Sequence, residues 1–438
     1  MTMEYRPLGQ TGVRLSAVSF GAGPVPALMT GPDADRQLET VHAALQAGIN
    51  GFDTAAGYGQ GRSEAGLGAA LAGLGASRDV HLATKVRLQP ADLDDIAGGV
   101  RRSVERSLQR LRVDRVTLLQ LHNAIAFDRG AWPDAVTPDD VLRPGGVADT
   151  LARLRQEGLI AHFGLTATGD SAALRQVIRT GVFQTAQVPF SLVDRAAART
   201  AGGGEDAEYG LPASPGCDRS GSAMQDAPAD KEGGGSGGDS ASANTRDNTV
   251  PSAHDADPGG GVGGSRRSGG GATEGGSKVD SSGRSDGRAT EGGSKVGSSR
   301  RSGVEMARNG AVPEASPGLH PEPGSLLAEC MAQGMGVLAI RVFAGGALAG
   351  QPPSAHTLQT QYFPLDLYHR DRRRGEHVRR ILDPGTDLRE IALRFVLSHP
   401  AVTSAIIGFG APGHVTAAAA FQAAGPLPPA MLRTLAGL

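Results

Sequence analysis

Short apolar runs alternate along this chain with longer stretches whose apolar positions recur every three to four residues. The short runs fall at residues 17–21, 49–53, 80–85, 116–122, 160–165, 185–189, 337–340 and 403–408. Runs of this kind, bounded by Gly, Pro or polar clusters, predict buried strands. Between them, Val100, Val104, Leu108 and Leu111 form an apolar stripe with Arg101, Arg102, Arg106 and Arg110 off it, which predicts a helix with one face on a core. A second helix is expected over 388–398, with Asp387 and Glu390 as a capping box at its start and Pro400 beyond its end. Alternating strand and helix units predict a parallel sheet, and eight of them predict closure into an α/β (β/α)8 TIM barrel. Ahead of the first strand, residues 5–8 and 13–15 flank a Gly-rich turn at 9–12, which predicts an N-terminal β-hairpin across the barrel's bottom.

The alternation stops between 201 and 324, where Gly, Ser, Asp and Arg dominate. ATEGGSKV begins at Ala272 and again at Ala289, a period of 17 residues. Repeats of short period form solenoids only if each unit buries a face. These units carry one valine each, too little to offset the entropy of ordering the chain. A long disordered insertion is therefore expected between strand six and the following helix. It divides the barrel into 1–200, with strands one to six, and 325–438, with strands seven and eight and the C-terminal helices. The Ser/Arg mixture leaves a phosphorylated or partner-binding segment as the alternative to an inert expansion. About 310 residues lie outside it, which suits one barrel.

Composition narrows the class. Glycine, 65 of 438 residues, is about twice its average share, and the excess is not spread evenly along the chain. Lys and Arg number 43 against 45 Asp and Glu, a net charge of −2, so no global attraction to nucleic acid or membrane is expected. Cys217 and Cys330 are too few for a disulfide framework and have no zinc-like spacing, so neither a metal site nor an oxidising compartment is expected. The first residues lack a leader pattern, and no apolar run approaches the length of a membrane span. A cytoplasmic protein is the expectation, and nothing in the pattern sets an oligomeric state.

In such barrels chemistry gathers at the C-terminal ends of the strands. Asp53 ends strand two with Tyr58 just beyond it, Lys85 ends strand three, and His122 ends strand four. A tyrosine hydroxyl, with a reference pKa of about 10, exchanges protons near neutrality only if its phenolate is stabilised. A lysine ammonium does that, and an aspartate keeps a buried lysine charged. An imidazole orients the reacting oxygen by hydrogen bonding. The set forms a proton-transfer device for a carbonyl oxygen, and a nicotinamide cofactor is the fitting hydride source.

The stretch GFDTAAGYGQGRSEAGLGAAL, residues 51–71, resembles the signature of the aldo-keto reductase family. That signature sets Tyr five residues after Asp, then Ser-Glu and Leu-Gly opening a helix. Lys85 in LATKV and His122 in LQLHN stand where that family carries its lysine and histidine. The resemblance runs through nearly all of the chain outside the insertion. It implies an NAD(P)-dependent oxidoreductase acting on a small aldehyde, ketone or alcohol, with Tyr58 as general acid/base. Asp53 and Lys85 would be its tuning pair, and His122 the orienting group. Within the same family the alternative is an NAD-linked sugar (aldose) dehydrogenase. Outside catalysis it is a silent nicotinamide-binding regulatory barrel.

The cofactor, NADP(H) or NAD(H), has its own candidates. Residues 408–413 read GFGAPG, a literal G-x-G-x-x-G. The tail after it offers no second strand with an acid, so a Rossmann unit is rejected. A Gly-rich turn after strand eight still suits phosphate. By the resemblance, Arg341, Val342, Phe343 and Gly345 stand in a pyrophosphate loop usually written Ser-Pro-Leu-x-x-Gly. Gln187 and Phe190 match a Gln and an aromatic that hold the nicotinamide, the aromatic by stacking, and Thr166 replaces the usual Ser. Gly408 and Gly410 form the strand-eight turn. Gly410 stands where NADPH-selective members carry a basic residue, which keeps NAD(H) open, and His414 is the nearest remaining contact. Substrate selection is expected from loop 123–146, which holds the chain's one tryptophan, Trp132.

Overall fold

The computed structural model describes residues 2–132, 134–200, 319–359 and 365–438. Strands β1 (Tyr5–Pro7) and β2 (Arg14–Ser16) pair antiparallel, with Tyr5 opposite Ser16. Eight parallel strands then close a barrel: β3 (Val18–Gly21), β4 (Gly51–Asp53), β5 (His81–Val86), β6 (Val116–Leu121), β7 (Ile160–Thr166), β8 (Thr185–Pro189), β9 (Gly336–Ile340) and β10 (Val402–Gly408). They stand in sequence order, and β10 pairs with both β9 and β3. Each of the eight expected strands is present, with ends shifted by no more than two residues.

The helices are α1 (Ala34–Gln46), α2 (Arg62–Gly73), α3 (Ile96–Leu111), α4 (Pro138–Leu142), α5 (Val147–Gln156), α6 (Ser171–Arg179), α7 (Leu326–Ala332), α8 (Ala355–Gln359), α9 (Leu365–Ile381), α10 (Leu388–Leu397), α11 (Pro412–Ala423) and α12 (Pro429–Ala436). The apolar stripe foreseen on α3 is buried at Val100, Val104, Leu108 and Leu111. Asp387 caps α10 as expected, its side chain accepting from Arg389 N at 2.9 Å. The capping box does not form, because Glu390 pairs with Arg394 one turn on at 2.5 Å instead of turning back.

Barrel strands are buried on both faces, so side-chain alternation sorts residues between two cores. Outward residues such as Phe20, Phe52 and Phe163 join the layer between strands and helices. Inward residues at the bottom, Ala83, Leu118 and Leu338, pack on Leu8 and Leu15 of the hairpin. The hairpin thus plugs the barrel, as foreseen. Beside this layer, on the adjacent strands β3 and β10, Ser19 and Ser404 share a hydrogen bond at 2.7 Å. Gly51 leaves room for it, since a Cβ there would lie 2.4 Å from Ser19 Oγ.

The chain leaves the described structure after Thr200 and re-enters it at Leu319. Most of the expected insertion, 201–318, lies outside the described residues, and so does any reading of its order. Residues 319–324, counted with it in the sequence, belong to the barrel. Leu319 is buried, Glu322 N donates to Ala198 O at 2.8 Å, and Thr200 N donates to Glu322 Oε2 at 2.7 Å. Flanking Gly and Pro hide this short anchor from a composition-based boundary. Among the described residues, no helix is long and apolar enough to cross a membrane.

Candidate active site

The same alternation that seals the bottom aims a different set of side chains at the top. On β4, Gly51 and Asp53 face inward; on β5, Ala83 and Lys85; on β6, Leu118 and Gln120; on β8, Thr185 and Gln187. Lys85 Nζ lies at the centre. It donates to Asp53 Oδ2 at 2.6 Å, to Thr54 O at 2.8 Å and to Tyr58 Oη at 3.3 Å. Lys85 is 2% exposed and Asp53 5%. Asp53 Oδ1 accepts a hydrogen bond from Gln187 Nε2 and another from Gln120 Nε2 at 3.5 Å. Gln120 escaped the sequence reading, although it lies two residues before His122 on the inward phase of β6.

Tyr58 enters from the short turn after β4, where Gly59 and Gln60 take positive φ of 59° and 57°. Its ring meets that of His122 edge-on, with centroids 5.7 Å apart, and Lys85 Nζ sits 4.8 Å from the Tyr58 ring centre. The four residues named from the sequence therefore come together at one mouth.

Burial penalises the Lys85 ammonium, but Asp53 and Tyr58 outweigh that penalty and hold its pKa above the ordinary lysine value. Burial, with the Arg87 and Lys85 charges beside it, holds His122 well below the ordinary histidine range. At neutral pH the site thus keeps a charged lysine and an uncharged imidazole. Arg87, also missed in the sequence, donates to His122 O at 3.5 Å.

Tyr58 and His122 open onto a cavity of about 710 Å³, within the range of small-molecule and cofactor sites. Thr166, Gln187, Arg341, Phe343, Gly345, Gly408 and His414 line it. Thr166 Oγ1 is buried without a hydrogen-bond partner, a polar atom left for a ligand. The turn after β9 takes positive φ at Arg341 (60°), Ala344 (51°), Gly345 (67°) and Gly346 (99°). Non-glycine residues hold such angles only where their surroundings impose them; here Arg341 is anchored to the buried Asp371 at 3.1 Å. A Cβ on Gly345 would meet nothing within 4 Å, whereas one on Gly408 would lie 2.1 Å from Val25 O. Gly408 is thus a packing requirement and Gly345 an open face of the turn.

Three expectations change. Phe190 does not line the cavity. It follows Pro189 on the outward phase of β8 and packs against Phe395 (6.1 Å between ring centres) and His399 (4.9 Å). Gly410 sits beside the cavity rather than on its wall, its N–H donating to His414 Nδ1 at 3.3 Å. Trp132 packs with Ala124, Ala126 and Ala135. Of loop 123–146 only Ala124 lines the cavity among the described residues, and the 351–357 segment and α9 supply that wall through residues such as Pro352, Thr357 and Tyr368.

Comparison with known proteins agrees with this geometry. The model of the Aldo/keto reductase family matches residues 17–200. L-galactose dehydrogenase of Arabidopsis thaliana is 35% identical over 165 residues, 37% of this chain and 48% of that protein. An aldo-keto reductase of Bacillus subtilis is 32% identical over 200 residues, 44% of this chain and 55% of its own length. The chain thus spans about half the length of these curated relatives. The holo form of an aldo-keto reductase from Bacillus halodurans superposes with a TM-score of 0.56 at 17% identity, covering 100% of this chain and 96% of that one; this likeness shows the fold.

Proposed function

We propose that this chain, whose residues 17–200 match the model of the Aldo/keto reductase family, is an oxidoreductase exchanging hydride between a nicotinamide cofactor and a small carbonyl or alcohol. The observation that carries the reading is the placement of Lys85 Nζ, within hydrogen-bond reach of Asp53, Thr54 O and Tyr58 Oη at once.

Each residue has a part in the proton transfer. Tyr58 delivers its proton to the carbonyl oxygen on reduction and takes one on oxidation. The Lys85 ammonium stabilises negative charge on Tyr58 Oη as the proton leaves. Asp53 keeps that ammonium charged and is itself held by Gln187 and Gln120. His122, uncharged, donates to the substrate oxygen and fixes its direction without competing for the proton. A bound nicotinamide ring would supply the hydride. The unpartnered Thr166 Oγ1 and the Gln187 amide are suited to its carboxamide. The turn from Arg341 to Gly346 and the N-terminus of α11 suit its phosphates.

A panel of aldehydes and ketones with NADPH and NADH tests the reading. Turnover by the wild type, and its loss in Tyr58→Phe with cofactor binding kept, is the expected result. Binding with equal turnover in both proteins would sink the role of Tyr58. Assays of alcohol and sugar oxidation belong beside it. The likeness to a sugar dehydrogenase and the lack of a basic side chain at Gly410 favour an NAD-linked dehydrogenase as the second reading. The assembled four residues speak against a catalytically silent barrel.

A further inference from the structure

Arg389, His414, Ala417, Ala418 and Phe421 are among the residues that line the cavity. The Arg389 guanidinium carbon lies 6.0 Å from the centre of the Phe421 ring. It is already clasped: Asp387 accepts from Arg389 Nε with its two oxygens at 3.0 and 3.1 Å, and from Nη2 at 2.6 Å. Asp387 also accepts from Arg389 N at 2.9 Å as it caps α10, so cap and clasp share one carboxylate. The neighbouring acid, Glu390, is engaged with Arg394. The arginine's hydrogen bonds hold Asp387 below the usual carboxylate range, and Asp387 holds Arg389 above its own. Both are charged across the neutral range.

The two nicotinamide dinucleotides differ by a 2′-phosphate on the adenosine ribose. Sites that favour the phosphate offer it a cation, and sites that favour the hydroxyl set an acid nearby. Both kinds of group are present here, and they are spent on each other. Resting on the reading that such a dinucleotide lies in the cavity with its nicotinamide at Tyr58, we propose that Asp387 sets cofactor choice. By clasping Arg389 it withholds a cation on the cavity's lining from a 2′-phosphate and biases the protein toward NAD(H). Specificity then comes from a repulsive element as much as an attractive one.

Calorimetric titration of the full chain with NADH and with NADPH tests this without any substrate. The wild type is expected to bind NADH more tightly. Asp387→Ser keeps a helix cap and removes the charge. It is expected to tighten NADPH about tenfold, as a freed guanidinium gains a bidentate phosphate partner, with NADH within about twofold. Asp387→Asn, which also caps, should repeat the shift, and Arg389→Gln added to Asp387→Ser should cancel it. An unchanged NADPH-to-NADH ratio in both Asp387 variants, a gain that survives loss of Arg389, or a wild type that prefers NADPH would each overturn the proposal while leaving the site reading intact. No binding of either dinucleotide to any variant would bring down both.

Discussion

At the hairpin end of the barrel, Ala83 and Leu118 face inward onto Leu8 and Leu15. Two residues further along the same strands, Lys85 and Gln120 face inward onto Asp53. Neighbouring positions on one face of one sheet therefore hold opposite materials. The lower layer is apolar and closed by the hairpin. The upper layer buries an ion pair, an arrangement that adds little net stability because desolvation offsets attraction. The contrast assigns stability to one end and chemistry to the other, and the two should be separable by mutation.

The largest effect is expected at the top. Tyr58→Phe should lower kcat about 10³-fold, within the usual worth of a positioned acid/base, with the melting temperature nearly unchanged; steady-state rates and a thermal scan decide it. Lys85→Met should break the division. It removes the charge beside Tyr58 and strands the Asp53 carboxylate, at a cost of about 3–5 kcal/mol to folding, read by urea unfolding. Leu118→Ala tests the other end. It should cost about 2–4 kcal/mol as a cavity in a packed layer, with kcat/KM close to wild type in whatever fraction remains folded. A loss of activity without a loss of stability in that variant would contradict the separation.

Smaller effects sharpen the picture. Thr166→Ala should weaken cofactor binding by about 1 kcal/mol, the net worth of one hydrogen bond, and leave stability unchanged. The pH dependence follows from His122. Its pKa is lowered on folding, so the uncharged form persists below the ordinary histidine range. Turnover should stay level as pH falls from 7 through 6.5 and decline only well below that. The folded state binds fewer protons than the unfolded one in the window under 6.5, so this residue costs stability as pH falls there. A kcat/KM profile that breaks at the ordinary histidine pKa would contradict the placement of His122.

Much of this was legible in the sequence, and the rest for physical reasons was not. The strands are short apolar runs with clear bounds, and the tetrad sits at fixed offsets from their ends, so periodicity alone located Asp53, Lys85 and His122. Counting alternation one step further would have found Gln120 and would have turned Phe190 outward. Gln187 faces inward on β8, so a residue three positions on lies on the opposite phase, here against Phe395. The cavity's outer wall was harder. Residues 351–357, α9 and the Asp387–Arg389 clasp reach it through loop and helix placements that no local pattern encodes. Trp132 misled because a lone large aromatic in a long loop suggests a pocket, whereas it packs among alanines of that same loop.

The most direct test of the central claim follows the hydride itself. The protein would be incubated with NADH and NADPH deuterated at the transferable C4 position, together with an aldehyde it reduces. Deuterium is expected on the former carbonyl carbon with the wild type, and none above background with Tyr58→Phe although the cofactor still binds. Binding of the cofactor with no deuterium transferred to any aldehyde or ketone, or equal transfer in both proteins, would contradict it.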